Sequence, residues 1–255
     1  MNPAPSRIAA FFDLDGTLIP FPSLERRLVH ALLYRHAIPA SNFALWPLEM
    51  ARLSPRGLAY ARQANKMHLR GISVDRAAAL ARQLAAPPHL PFFSQALDRI
   101  AWHASQGHHL VLITGTPQVL ARCAVQALEA EFARRGIATT ILVRATTLEE
   151  ISGRWTGRIA GEPMFGRSKA AAVRALASLF ELDLHASFAY GDSIHDRPML
   201  DIVGRPFAVN PSRPLRRFAQ RNGWPINEWR LASAATSVHT NSDLHFTKRK
   251  VETLG

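Results

Sequence analysis

Residues 8–20 read IAAFFDLDGTLIP. The apolar run Ile8 to Phe12 has the length and composition of a buried strand. It drives straight into two carboxylates, Asp13 and Asp15, with Gly16 and Thr17 behind them. Like charges this close repel each other unless something cationic is shared between them. The stretch is therefore either a turn after a strand or a site. A calcium loop of the D-x-D-x-D-G kind is one alternative, but it needs a glutamate at its last position, where Leu24 stands, and helices on both sides.

Outward from that strand the pattern turns helical from about residue 21 to 105. Leu24, Leu28, Ala31 and Leu32 keep a 3.6-residue period, and Ser73 is an N-cap for VDRAAALARQLA, which Pro87-Pro88 stops. A second apolar strand, HLVLIT (109–114), is followed by a helix that Pro117 opens and that runs to about 134. TTILVR (139–144) reads as a third strand, and EEISGRWTGRIAG has the glycine punctuation of a hairpin. SKAAAVRALASLF (168–180) is a helix, SFAY (187–190) and PFAVN (206–210) are strands, and RPLRRFAQRN is a final helix. Strands alternating with helices predict an α/β fold, an open parallel sheet covered on both faces. The helical block breaks the alternation and reads as an inserted subdomain. The expected division is a core of residues 1–19 plus 106–222, a cap of 20–105 and an extension of 223–255. The polar stretch SAATSVHTNSDLHFTKRK in that extension lacks periodicity and is expected to be partly disordered.

Bulk composition narrows the function classes. The 255 residues are 47% apolar and 20% charged, as in ordinary globular proteins. MNPAPSR carries no apolar leader segment, and no stretch approaches the roughly 18 to 20 apolar residues of a membrane span. Cys123 is the only cysteine, so no intrachain disulfide or thiolate metal cluster exists and a reducing cytoplasm is the expected compartment. The formal net charge of +12 raises the question of a nucleic-acid partner. Four lysines stand against 27 arginines, with no lysine-rich arm and no base-stacking aromatic series, which argues against one. Residues 21–105 hold eleven Lys/Arg and four Asp/Glu. That surplus suits solvated helix faces, or a cap that draws in and closes over an anionic substrate.

In an open parallel sheet ligands bind outside the carboxyl ends of the strands. Asp13 and Asp15 follow the first strand, Thr114, Gly115 and Thr116 the second, and Asp192 and Asp196 follow SFAY. Lys169 stands at the start of its helix, where free backbone N–H groups already favour an anion. Acids, a hydroxyl and a lysine on one crevice suit magnesium and a phosphoryl group. GEPMFGRS (161–168) falls short of a P-loop, since Arg167 stands where the lysine should be. His103, His108 and His109 lack metal-ligand spacing and read as a loop before a strand.

In this order the residues resemble the haloacid dehalogenase superfamily, especially its phosphoserine-phosphatase-like branch, subfamily IB. The four motifs are DLDGT (13–17), ITGTP (113–117), Lys169 and YGDSIHDRPML (190–200). The resemblance implies a Rossmann-like core with an inserted helical cap of the C1 type. It also implies a Mg2+-dependent phosphomonoester hydrolase that works through an aspartyl-phosphate. In it Asp13 would be the nucleophile and Asp15 the general acid and base. Asp13, the Asp15 backbone carbonyl and Asp192 would hold magnesium, with Asp196 and Ser193 in support. Thr114, Gly115 and Lys169 would clamp the phosphoryl oxygens. His195, Arg56, Arg62, Lys66 and Arg70 are the candidates for facing the leaving group.

The expected substrate is a small phosphorylated metabolite, an amino-alcohol or amino-acid phosphate such as phosphoserine or histidinol phosphate. Phosphoserine-specific members carry a glutamate where this chain has Pro22, and the nearest acid, Glu25, lies three residues further on. TGTP replaces their SGG, and His195 replaces an asparagine. A phosphotransferase or mutase with the same nucleophile is the nearest rival. A non-enzymatic basic module for nucleic acid or acidic surfaces is the rival from another class, and it has no need of Asp15.

Overall fold

The computed structural model describes residues 7–232. The expectations about the leader and about the polar stretch 233–250 lie outside those residues. Strand β1 (Ala9–Phe12) is followed by α1 (Leu24–Tyr34), α2 (Ser41–Leu53), α3 (Leu58–Ala64), α4 (Val74–Ala85) and α5 (Ser94–Ser105). Then come β2 (His109–Pro117), α6 (Gln118–Arg134), β3 (Ile141–Thr146), β4 (Leu148–Ile151) and β5 (Arg154–Ile159). The chain continues through α7 (Arg167–Leu179), β6 (Phe188–Gly191), α8 (Arg197–Leu200), β7 (Arg205–Val209), α9 (Arg213–Arg221) and β8 (Ile226–Asn227).

Six strands form a parallel sheet in the order β3-β2-β1-β6-β7-β8. Strand residues alternate between the two faces. Ala10, Phe12, Leu110, Leu112, Phe188 and Tyr190 point into a core shared with α1, α4, α5 and α6. Ala9, Phe11, Val111, Ile113 and Ala189 point into the opposite core, with α7, α8 and α9. The α/β architecture expected from alternation is present. Its reason is visible in β1, where four consecutive buried residues serve both faces at once.

Two elements extend the expected picture. The two-residue strand β8 lies in the expected C-terminal extension and pairs with β7. Trp229 beyond it is buried against Tyr190, so residues up to 230 pack with the core. Within the helical block, Ala96, Leu97 and Ile100 of α5 pack in the sheet's own core, and His103 Nε2 lies 2.9 Å from the Tyr190 hydroxyl. By contrast, Leu53, Ala61 and Ala64 of α2 and α3 form a separate small cluster with Ile159 of β5 packed against it. The β4–β5 hairpin, which the glycine punctuation anticipated, docks on this outer layer. It does so through backbone bonds from Lys66, Gly71 and Val74 N–H to Gly157, Trp155 and Gly153 carbonyls, and from Trp155 N–H to Ile72.

Candidate active site

The carboxyl ends of β1, β2 and β6 open into a cleft of about 450 Å³. Asp13 follows β1, and its backbone N–H donates to the Tyr190 carbonyl at 3.0 Å, which continues the β1–β6 ladder to the strand's end. Its carboxylate is buried and takes a hydrogen bond from Lys169 Nζ at 2.6 Å. The same ammonium reaches Asp196 Oδ1 at 2.5 Å. Asp196 is fixed from its other side, where Oδ2 accepts from the Ser193 N–H at 3.0 Å. Asp13, Asp192 and Asp196 bring carboxylate oxygens within 4.8 Å of one another.

Three buried carboxylates against one lysine leave an excess of negative charge in a dry place. Burial pushes the Asp13 carboxyl up to about 7, against the pull of Lys169. Burial first, and then repulsion from Asp13 and Asp196, raises Asp192 to about 9. A hard, oxygen-seeking divalent cation is the natural complement of such a donor set, and the residues present fit one.

Asp15 adds no carboxylate to that cluster. Its side chain turns away and accepts from the Leu24 N–H at 2.7 Å and from the Thr116 hydroxyl at 2.5 Å. Burial raises its pKa, while the Thr116 and Leu24 hydrogen bonds hold it down. Two aspartates two residues apart thus occupy different environments, one among acids and a lysine, the other among neutral donors. Gly16 makes this turn possible. It sits at φ +89°, and a Cβ there would lie 2.6 Å from Asp192 Oδ2 and 2.7 Å from the Phe21 ring.

Thr114, Gly115, Lys169, Ser193 and His195 line the same cleft, with Asp13, Asp15, Asp192 and Asp196. His195 is exposed, with its ring 4.3 Å from that of Phe165. The cap residues divide differently from the expectation. Arg56 is exposed, paired with Glu162 at 2.5 Å and stacked over Tyr60, and it does not line the cleft. Arg62 and Arg70 are also exposed and outside the lining, and Arg70 borders a separate groove between α2 and the hairpin. Lys66 is buried and binds both oxygens of Glu25, at 2.8 and 2.7 Å. Glu25, Gln63, Phe21, Met164 and Phe165 line the cleft without having been singled out as site residues, and Thr116 joins them from the strand end that the sequence marked. Gln63 is the contribution of α3, with its amide reaching over Gly115.

Residues 10–201 match the model of the haloacid dehalogenase-like hydrolases. The chain belongs to that family. A phosphoserine phosphatase of Mycobacterium tuberculosis is 32% identical to this hydrolase over 92% of its chain and 75% of the relative's. A solved protein from Bordetella pertussis Tohama I superposes with a TM-score of 0.64 at 30% identity, covering 87% of this chain and 98% of that one. A phosphoserine phosphatase solved as a phospho-aspartyl intermediate analogue shares the fold, with a TM-score of 0.57 at 14% identity over 89% of this chain and 95% of its own. Among the described residues of this hydrolase, no helix is long and apolar enough to cross a membrane.

Proposed function

We propose that the chain is a magnesium-dependent phosphomonoester hydrolase acting on a small phosphorylated metabolite through an aspartyl-phosphate on Asp13. The observation that carries this reading is the contrast between the two aspartates of DLDGT. Asp13 is held by a lysine at 2.6 Å among acids that suit a cation, and Asp15 is held by neutral donors beside it.

Asp13 is the nucleophile in this reading. Its carboxylate oxygen forms a bond to phosphorus as the ester P–O bond breaks, and the departing alkoxide takes a proton from Asp15. A buried carboxyl with a raised pKa is suited to holding that proton. Asp15, now ionised, then takes a proton from water as the water oxygen attacks phosphorus and the Asp13–phosphorus bond breaks. Orthophosphate leaves, and both aspartates return to their starting states. Lys169, Thr114 and the backbone at Gly115 orient the phosphoryl oxygens and counter their charge. Magnesium, held by Asp13 and Asp192 with the Asp15 carbonyl and with Asp196 in support, would supply positive charge to the phosphoryl group.

The relative's name places phosphoserine among the substrates to be tried, and the cytoplasm is the compartment that fits the single cysteine. The test is hydrolysis of p-nitrophenyl phosphate with magnesium. Release of p-nitrophenol should vanish with chelator and with Asp13→Asn. Activity that survives Asp13→Asn defeats the aspartyl-phosphate mechanism.

A further inference from the structure

We propose, resting on the phosphatase reading, that the substrate is the phosphate ester of an uncharged alcohol whose flat or apolar body lies against Phe21, Met164 and Phe165. The first support is that the described lining offers the leaving group no free carboxylate, ammonium or guanidinium, His195 being its one imidazole. Apart from the four aspartates and Lys169, Glu25 is the one acid or base of the Asp, Glu, Lys and Arg kind among the described residues lining the cleft. Both of its oxygens already sit on Lys66 Nζ, and His68 Nε2 lies 3.4 Å from one of them. Lys66 is 3% exposed. A substrate ammonium binding Glu25 would have to compete with that lysine, and displacing Lys66 would leave a buried charge without its partner.

A leaving group with a carboxylate fares no better. The chain holds 27 arginines, yet none lines the cleft. Lys169 is engaged by Asp13 and Asp196. What the cleft offers instead is the apolar surface of Phe21, Met164 and Phe165, beside the neutral hydroxyls of Ser23, Thr116, Ser193 and Ser212. Phe21 stands 64% exposed at its lip, beside the Gly16 turn, and Phe165 backs onto the His195 ring. A large exposed ring beside the reacting groups is costly to hydrate and gains by being covered. Gln63 supplies one neutral polar contact. Its amide reaches over Gly115 with no hydrogen-bond partner among the described residues, and so can meet a hydroxyl or carbonyl of the leaving group.

The experiment compares kcat/KM for benzyl phosphate, phosphoethanolamine and phosphoserine, all esters of alkyl alcohols, so that phenol-like leaving-group reactivity does not decide the order. Benzyl phosphate should lead both amino compounds by about tenfold or more, the selectivity an apolar pocket can give. Phe165→Ala should remove about tenfold from benzyl phosphate and change phosphoethanolamine by no more than about twofold. The double variant Glu25→Gln/Lys66→Met replaces the ion pair by neutral groups of similar shape and should keep the benzyl preference. A lead for phosphoserine or phosphoethanolamine that disappears in the double variant makes Glu25 an ammonium reader and overturns the inference alone. If no monoester is hydrolysed in an Asp13-dependent way, the phosphatase reading falls and the inference with it. Should the double variant fail to fold by circular dichroism, the wild-type ranking and Phe165→Ala still decide.

Discussion

At the scale of single residues the site turns on placing two acids of one motif in unlike surroundings. Asp15 rests on Thr116 and Leu24, so Asp15→Asn should keep its position while losing the proton it delivers. The expected result is a fall in kcat of about 10²- to 10⁴-fold on alkyl monoesters, measured by phosphate release. Gly16 is the other decisive residue. Gly16→Ala puts a methyl against the Asp192 carboxylate in a left-handed backbone conformation, at a cost of about 1–3 kcal/mol. A lowered Tm together with weakened magnesium binding by calorimetry is expected, and unchanged values for both would show that the turn tolerates a side chain. Asp13, Asp15, Thr114, Lys169 and Asp192 were legible because each sits at a strand end or helix start and because together they follow the order of the family's motifs, without which Thr114 and Lys169 read as ordinary residues. Gln63 was not, because its neighbours Ala61 and Ala64 pack into the cap's own cluster and so set which face of α3 looks inward. Basic character drew attention to Arg62, one position away, which points to solvent.

At the scale of elements, α5 is fastened to the sheet through His103. Its ring is fully buried, bonded to the Tyr190 hydroxyl and 2.8 Å from His108 Nδ1, and burial pushes its pKa down to about 3. A histidine kept neutral in the fold but free to protonate when unfolded, near pH 6.5, makes the unfolded chain bind more protons between those values. Stability should therefore fall as pH drops below about 6.5, by about 2 kcal/mol at pH 5. Glu25 acts in the same direction lower down. Lys66 and His68 hold it at about 2 against burial, so its contribution is present above about pH 4.5 and is lost as pH falls toward 2. Urea melts across pH 5 to 8 should show the upper slope in the wild type and a flatter one in His103→Gln. An equal slope in both would remove His103 as its source. Sequence spacing placed this histidine in a wet loop. It missed that Ala96, Leu97 and Ile100 turn one face of α5 onto the sheet and carry His103 inward with them.

At the scale of the whole molecule a strongly basic chain carries an acidic crevice. The net charge is +12, while Asp13, Asp192 and Asp196 cluster at the sheet's carboxyl edge and one lysine pairs with two of them. A cation that binds this fold and not the unfolded chain must stabilise it. Millimolar magnesium should raise Tm, chelation should reverse the rise, and Asp192→Asn should abolish the response; an unchanged Tm would count against the acids as a metal site. The described arginines that give the protein its charge lie elsewhere, on helices, strands and loops outside the cleft lining. The open parallel sheet, and the crevice at the carboxyl ends of its strands, followed from alternating patterns that the chain displays openly, whereas the strand order came from the structure. The docking of the β4–β5 hairpin onto the cap did not, since backbone bonds between segments some eighty residues apart leave no mark on either. Those bonds have an architectural consequence. The cap is not a detachable module, because its outer layer is assembled from two separate passages of the chain. Excising residues 41–74 would take away the backbone partners of β5 and uncover Trp155, turning a shielded ribbon into a sticky edge. Any grafting of this cap onto another core has to carry the hairpin with it.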